Sequence, residues 1–460
     1  MDRRRFLTTS TAGAIGAIAG PGVATAAETP NIVLILADDL GYGDLGCYGS
    51  HTRTPNLNRM AREGVLFRQF CSASPVCSPS RAGLLTGRYG VRSGIHTVLM
   101  PTDTYGLPDT EVTIAQMLKP AGYKTMLVGK WHLGSQPRFL PTNHGFDEFY
   151  GLPYSADQDP SVLMHNTDVI ESPVQLSTIT QRFTEQAVNF IRRSKNSPFF
   201  LYMPQTSPHL PLAVSPAFRG KSALGLYGDV VEELDWSVGQ VLDELTLSSL
   251  DRNTLVIFSS DNGPWFQGSP GRLRGRKGDT FEGGMREPFI ARFTGRIPAN
   301  KIVRGFASTL DMLPTIASLT NSGLPPNPLD GVDIWPVLTG EAESVERPLF
   351  LYFDDWHLQC ARSGRWKLHL ARYNSAAFTA EPREGRFNLR LINPELYDLD
   401  ADSAESADNS ADNPGIVADL RSRVESLLPT LPANVQTAWN QTQKRAVHAN
   451  IPGGWPVPIL

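Results

Sequence analysis

Short apolar, β-rich runs, each leading straight into polar or charged residues, constrain this chain more than any other feature. They are Asn31–Leu36, Val65–Phe70, Lys124–Val128, Phe199–Met203 and Leu255–Phe258. Amphipathic segments alternate with them: Pro55–Glu63 (Thr54 as N-cap, Gly64 as stop), Thr113–Lys119, Thr178–Arg193, Gly228–Leu245 and Met312–Leu319. The alternation predicts an α/β sheet with helices on both faces. Open sheets of this kind take their ligands beyond the carboxyl ends of the strands. The residues that follow the runs are Asp38-Asp39, Cys77, Lys130 and His132, His209, and Asp261-Asn262. A lone polar residue after a strand is ordinary turn chemistry. Here the set is chemically complementary, with carboxylates, cations and imidazoles drawn to one edge.

The run Cys77-Ser78-Pro79-Ser80-Arg81 is a compact anion-handling device. Pro79 suits the first position of a helix, with Ser78 as N-cap. Cys77 would then precede a helix N-terminus, where free N–H groups favour negative charge. Arg81 lies at i+4 and can grip a tetrahedral oxyanion through two parallel hydrogen bonds. Asp38-Asp39 sets two carboxylates side by side, a repulsion that a hard divalent cation relieves; the alternative is a capping or turn pair. Asp261-Asn262-Gly263 offers two more oxygen ligands, or a simple Asn-Gly turn. Taken together the two pairs make an all-oxygen site, suited to Ca²⁺ or Mg²⁺ rather than Zn²⁺.

The 460 residues allow one large domain and a smaller one. A net charge of −4 argues against nucleic acid as a partner and requires an anionic substrate to find local cations. Four cysteines in this length are no disulfide framework, and none has zinc-site spacing. Arg3-Arg4-Arg5-Phe6-Leu7, a Gly/Ala-rich stretch and Ala24-Thr25-Ala26 read as a twin-arginine signal over residues 1–26, with the mature chain starting near Ala27. The implied partner is the twin-arginine translocase and the implied location periplasmic or secreted. The α/β pattern fills 27–343. Beyond it, Leu349–Phe353, Trp366–Leu370 and Glu395–Leu399 read as strands and Ile416–Leu428 as a helix. Residues 344–460 are therefore expected to form a smaller α+β domain, an antiparallel sheet with a terminal helix. Thr437–Leu460 gives no clear element.

Cys77–Arg81, followed by Ala82-Gly83-Leu84-Leu85-Thr86-Gly87-Arg88, resembles the hallmark of the type I, formylglycine-dependent sulfatases. Gly129-Lys130-Trp131-His132-Leu133-Gly134, Pro208-His209-Leu210-Pro211, and Leu273–Gly278 with Phe281–Pro288 resemble further motifs of that family. Gly106-Leu107-Pro108, Glu111-Val112-Thr113 and Pro153-Tyr154-Ser155-Ala156-Asp157-Gln158 are similar to its arylsulfatase A and galactosamine-6-sulfatase branch. The resemblance implies an alkaline phosphatase-like fold, with a large mixed sheet flanked by helices. It implies that a formylglycine-generating enzyme oxidises Cys77 to Cα-formylglycine, in the cytoplasm if export follows folding. Ca²⁺ would be held by Asp38, Asp39, Asp261, Asn262 and residue 77. Arg81, Lys130 and Lys277 would hold the sulfuryl oxygens, with Ser155 touching the sulfate. His209 with Lys277 would protonate the leaving oxygen, and His132 would then take the proton from the remaining hydroxyl of the covalent intermediate, so that sulfate is eliminated and the aldehyde returns. The neighbouring Arg274 and Arg276 are expected to be a solvated basic loop.

The resemblance thus implies hydrolysis of a sulfate monoester, either an aryl sulfate or a sulfated sugar such as galactosamine 6-sulfate. Three rivals stand beside it: a formylglycine-dependent phosphonate or phosphodiester hydrolase, a zinc phosphatase of the same superfamily, and an inactive protein that binds sulfated glycans. The intact Cys77–Arg81 run disfavours the phosphatase, and no catalytic group is missing as the binding protein would require.

Overall fold

The computed structural model describes residues 29–375, 387–448 and 457–458; the export signal read at 1–26 lies outside them. Strands β1 (Asn31–Ala37), β2 (Val65–Cys71), β3 (Lys124–Lys130), β4 (Glu148–Leu152), β5 (Leu163–His165), β6 (Asp168–Glu171), β7 (Phe199–Pro204), β8 (Thr254–Ser260), β9 (Phe289–Arg292) and β10 (Lys301–Ser308) build one sheet. Its order is β10-β2-β9-β8-β1-β7-β3-β4-β5-β6. The central stretch from β8 to β4 is parallel, while β9, β5 and β6 run antiparallel to their neighbours. The sheet is mixed, as expected, and its parallel centre sends successive strands to the same edge.

β1 is buried along its whole length, and its side chains alternate between two apolar layers. Ile32, Leu34 and Leu36 join Phe200, Tyr202 and Ile257 on one face. That layer is closed by helices α2 (Cys77–Thr86), α3 (Ile114–Leu118) and α7 (Met312–Thr320). Val33 and Ile35 join Leu201, Met203 and Val256 on the other. There the cover is α1 (Pro55–Glu63), α4 (Ile179–Ser194) and α5 (Gly225–Leu247). A short α6 (Glu282–Met285) and α8 (Trp335–Thr339) complete this part of the chain.

A second sheet holds β11 (Phe350–Asp354), β12 (His357–Ser363), β13 (Trp366–Tyr373) and β14 (Asn388–Asp398) in antiparallel sequence order. β15 (Ala446–His448) and β16 (Val457–Pro458) extend it. Its core is continuous with the first: Cys71, Tyr89, Met285 and Leu310 pack with Phe350, Tyr352, Leu368 and Leu396. Two helices flank it, α9 (Pro414–Leu427) and α10 (Ala433–Gln443), where one was expected. α10 corrects the reading of 437–460 as featureless. It buries only Val435, Ala438 and Thr442, too few apolar positions to leave a helical pattern in the sequence.

The start of α2 is a second correction. The helix begins at Cys77 itself, with Val76 at the cap position and no side-chain cap. Ser78 lies inside the first turn, where its hydroxyl accepts a hydrogen bond from Leu99 N at 3.0 Å. All four cysteines are free thiols. Among the described residues no helix is long and apolar enough to cross a membrane.

His144 is buried against Trp131, ring centroids 5.7 Å apart, and neither ring nitrogen has a partner. Burial holds its pKa down, from 6.5 to about 4. The folded state therefore keeps this ring neutral while the unfolded chain protonates it. Its contribution to stability is full above pH 6.5 and is lost as pH falls through that value to about 4. Melting temperature measured from neutral to acid pH should show this loss, and His144→Leu should make the slope shallower.

Candidate active site

The parallel strands end where the polar residues begin. Asp38 and Asp39 follow β1, and Asp39 has φ 63°, in the left-handed region that Asp tolerates better than most residues. Asp39 N donates to Asp261 Oδ1 at 3.1 Å, tying the end of β1 to the end of β8. His132, beyond β3, also has a left-handed φ, 61°. These two unusual backbones turn consecutive strand-end residues into one small volume.

Arg81, fully buried, donates from Nε and Nη2 to Asp261 Oδ2 at 3.0 and 2.7 Å, and from Nη1 to Lys130 O at 2.9 Å. Lys130 Nζ sits 2.6 Å from Asp38 Oδ2 and 3.1 Å from Ser155 Oγ. Lys277 Nζ is 2.8 Å from both oxygens of Asp39. Cys77 Sγ lies 3.8 Å from Asp38 Oδ1. His209 Nε2 is 3.5 Å from Asp39 Oδ2, with Nδ1 2.6 Å from Leu210 O. Asn262 Nδ2 donates to Asp39 Oδ1 at 2.7 Å, while its buried Oδ1 has no partner. Every site residue expected from the sequence is thus in one cluster.

The electrostatics follow from burial. Burial alone would raise Asp38, but Lys130, His209, Arg81 and Lys277 outweigh it and hold the carboxyl well below its usual range. Asp261 is pushed up, by burial and then by the neighbouring Asp38, despite Arg81. Burial pushes the Cys77 thiol up to about 12. Burial, then Lys130 and Arg81, hold His132 well below 6.5. His132 Nε2 is 2.9 Å from Leu99 O, and a carbonyl only accepts, so Nε2 carries the proton. Nδ1, unpartnered, is the free base.

The residues fit a hard cation. One ligand atom from each of Asp38, Asp39, Cys77 and His209 lies within 4.8 Å of all the others. His209 was not expected in that group. Asp261, which accepts from Asp39 N, and Asn262, whose Nδ2 meets Asp39 Oδ1, adjoin it, and a dication would offset the repulsion from Asp38 that helps raise Asp261.

A cavity of about 450 Å³ opens over the cluster, lined among others by Cys77, His132, Ser155, His209, Lys277 and Trp265. Trp265 lies in no motif that would single it out from sequence. Leu99 was also missed: its N–H meets Ser78, and its oxygen takes hydrogen bonds from His132 and from Gln158 Nε2 at 3.0 Å. A main-chain hub of this kind leaves no side-chain signal. Arg274 and Arg276 are not a solvated loop. Arg274 lies 3.9 Å over the Phe281 ring and donates to Glu405 O, and Arg276 donates to Trp265 O and Gly268 O.

Three buried cations, a carboxylate cluster and two imidazoles beneath one cavity define a hydrolytic site for the ester of a tetrahedral oxyanion. Residues 30–322 match the sulfatase family, and the chain belongs to it. It is an enzyme that hydrolyses sulfate esters. It is 42% identical over 387 residues to N-acetylgalactosamine-6-sulfatase of Canis lupus familiaris, covering 76% of this chain and 73% of the relative. It is 39% identical over 422 residues to arylsulfatase A of Homo sapiens, covering 83% of each. Among solved structures, a Bacteroides thetaiotaomicron sulfatase from work on glycosaminoglycan metabolism superposes with a TM-score of 0.78. It is 29% identical, with 87% of this chain and 99% of that one covered. A Pseudoalteromonas sulfatase gives 0.78 at 28% identity, covering 87% and 90%.

Arg81→Met would strip Asp261 of its two charged donors and leave a buried carboxylate uncompensated. The expected loss of stability is about 3–5 kcal/mol, read from the urea denaturation midpoint. An unchanged midpoint would contradict the clamp.

Proposed function

We propose that the protein is an exported sulfatase that removes sulfate from a monoester of a sugar or aryl alcohol, using a formylglycine made from Cys77. The observation that carries this reading is the place of Cys77. It sits in the first turn of α2, 3.8 Å from Asp38, and lines the cavity together with Lys277 and both imidazoles. Burial pushes this thiol up, so the unmodified side chain is a weak nucleophile at neutral pH. The hydrated aldehyde supplies the oxygen nucleophile.

Asp38, Asp39, Asp261, Asn262 and residue 77 are the residues that would hold Ca²⁺, with Mg²⁺ the alternative. The ion supplies positive charge to the sulfuryl oxygens. Arg81, Lys130 and Lys277 hold the same oxygens, and Ser155, hydrogen-bonded to Lys130, orients them. His209 and Lys277, both on Asp39, face the leaving oxygen and protonate it. His132 removes a proton through Nδ1, its tautomer fixed by Leu99 O. The relatives named for N-acetylgalactosamine 6-sulfate support a sulfated sugar as substrate. Processing of 1–26, passage through the twin-arginine translocase, and the division into 27–343 and 344–460 belong to the same proposal.

Peptide mass spectrometry of active enzyme should find the aldehyde at position 77; an unmodified thiol in fully active protein would sink the reading. The two histidines should fail differently. His209→Ala should slow alkyl and sugar sulfates by about 100-fold or more while sparing nitrophenyl sulfate, whose leaving group needs little protonation. His132→Ala should slow every substrate alike. Equal losses for both variants across a leaving-group series would refute this division of roles.

A further inference from the structure

We propose that Lys367 and Glu405, from the second sheet and the loop after it, are positioning residues for Lys277; this rests on Lys277 acting at the leaving oxygen. Lys277 lies on a segment, residues 274–286, with almost no regular structure of its own. Gly275 and Gly278 have φ of 82° and 84°, and the only helix is the four-residue α6. Such a segment holds a long, flexible lysine in place only if something outside holds its backbone.

Two sets of contacts do so. On the catalytic side, Lys277 N donates to Pro264 O at 3.2 Å and Gly278 N to Pro75 O at 2.8 Å, two residues before Cys77. On the far side the holders come from the second sheet. Lys367 Nζ, fully buried on β13, donates to Thr280 O at 2.8 Å. Glu405, also fully buried, accepts from Glu282 N at 2.6 Å through Oε2, and its main-chain oxygen accepts from Arg274 at 3.1 Å. Lys367 and Glu405 are 3.0 Å apart, so each fixes the other. Lys367 also pairs with Glu282 at 3.1 Å and lies 4.1 Å over the Tyr352 ring. His369 Nε2, 2.7 Å from Glu405, completes the group.

A buried ion cluster is a poor way to gain stability, because desolvation consumes most of the Coulomb energy and apolar packing does as well or better. What the cluster provides is direction. Two of its bonds end on main-chain atoms of the lysine-bearing segment, the oxygen of Thr280 and the N–H of Glu282, and the main-chain oxygen of Glu405 accepts a third from the Arg274 guanidinium. A displacement of about 1 Å at a reacting group can cost about 100-fold in rate.

The test uses full-length, matured enzyme with rates expressed per formylglycine. Lys367→Met and Glu405→Gln are compared with Lys277→Ala over a series of sulfate esters of graded leaving-group acidity. Both positioning variants should lose tenfold or more on sugar sulfate and less than twofold on nitrophenyl sulfate, steepening the series in the same sense as Lys277→Ala. Lys367→Arg should recover part of the loss. If Lys277→Ala steepens the series and the other two lose one constant factor throughout, the positioning role is overturned. If Lys277→Ala itself leaves the series unchanged, the acid role of Lys277 fails instead. A crystal structure of Glu405→Gln then decides the positioning role, which is overturned if the Lys277 amine remains on Asp39. Should Lys367→Met not fold, Glu405→Gln, which alters a single atom, gives the same reading alone.

Discussion

The site depends on one constraint: Asp38, Asp39 and Asp261 are buried together at the end of two adjacent strands and must be neutralised. Isolated carboxylates cannot remain charged at such depth. The fold answers with Arg81 on Asp261, Lys130 on Asp38 and Lys277 on Asp39, each drawn from a different element. Three charges of each sign balance. A dication added to this set leaves a surplus of positive charge in a low-dielectric cavity, which an anionic sulfate ester would meet. Binding of metal and of substrate would then be two parts of one electrostatic balance, and the cations that neutralise the carboxylate cluster are those that a sulfuryl group would engage.

Neutralisation at this accuracy needs the sheet. β1, β7, β8 and β3 are parallel neighbours in register over most of their lengths, so their ends are fixed relative to each other by main-chain hydrogen bonds. Side chains at those ends inherit that rigidity. The two left-handed residues, Asp39 and His132, are where the chain departs from the ladder. Each costs backbone strain of about 1–3 kcal/mol, and each places a group that lines the cavity. Sheet packing on both faces, with β1 buried throughout, is what can hold such strain.

Much of this was legible because it is local. The apolar runs became β1, β2, β3, β7 and β8, and the polar residues after them became the cluster. The residue motifs carry their own spacing, and Cys77 to Arg81 spans one helical turn in the folded protein as in the sequence. The rest is written in contacts between distant segments. Leu99 acts through its peptide group, so any residue type could have stood there. Arg274 and Arg276 look like a solvated loop until Phe281, Glu405 and Trp265 are brought beside them. The start of α2 was misplaced by two residues because Ser-Pro suggests a cap, while Leu99 claims the serine hydroxyl.

The same contrast explains why the second sheet matters to chemistry performed in the first. Among the described residues none of this sheet lines the cavity, and nothing in their sequence carries a catalytic motif. Yet the shared core runs from Cys71 through Met285 to Leu368, so the two sheets pack across the segment that bears Lys277. Apolar packing fixes the separation of the sheets but is non-directional. The orientation of a main chain threaded between them has to come from hydrogen bonds, supplied by neighbouring main chain on the catalytic side and by buried polar side chains on the far side. Lys367 and Glu405 meet that requirement, with each charge satisfied by the other and by the chain that both hold.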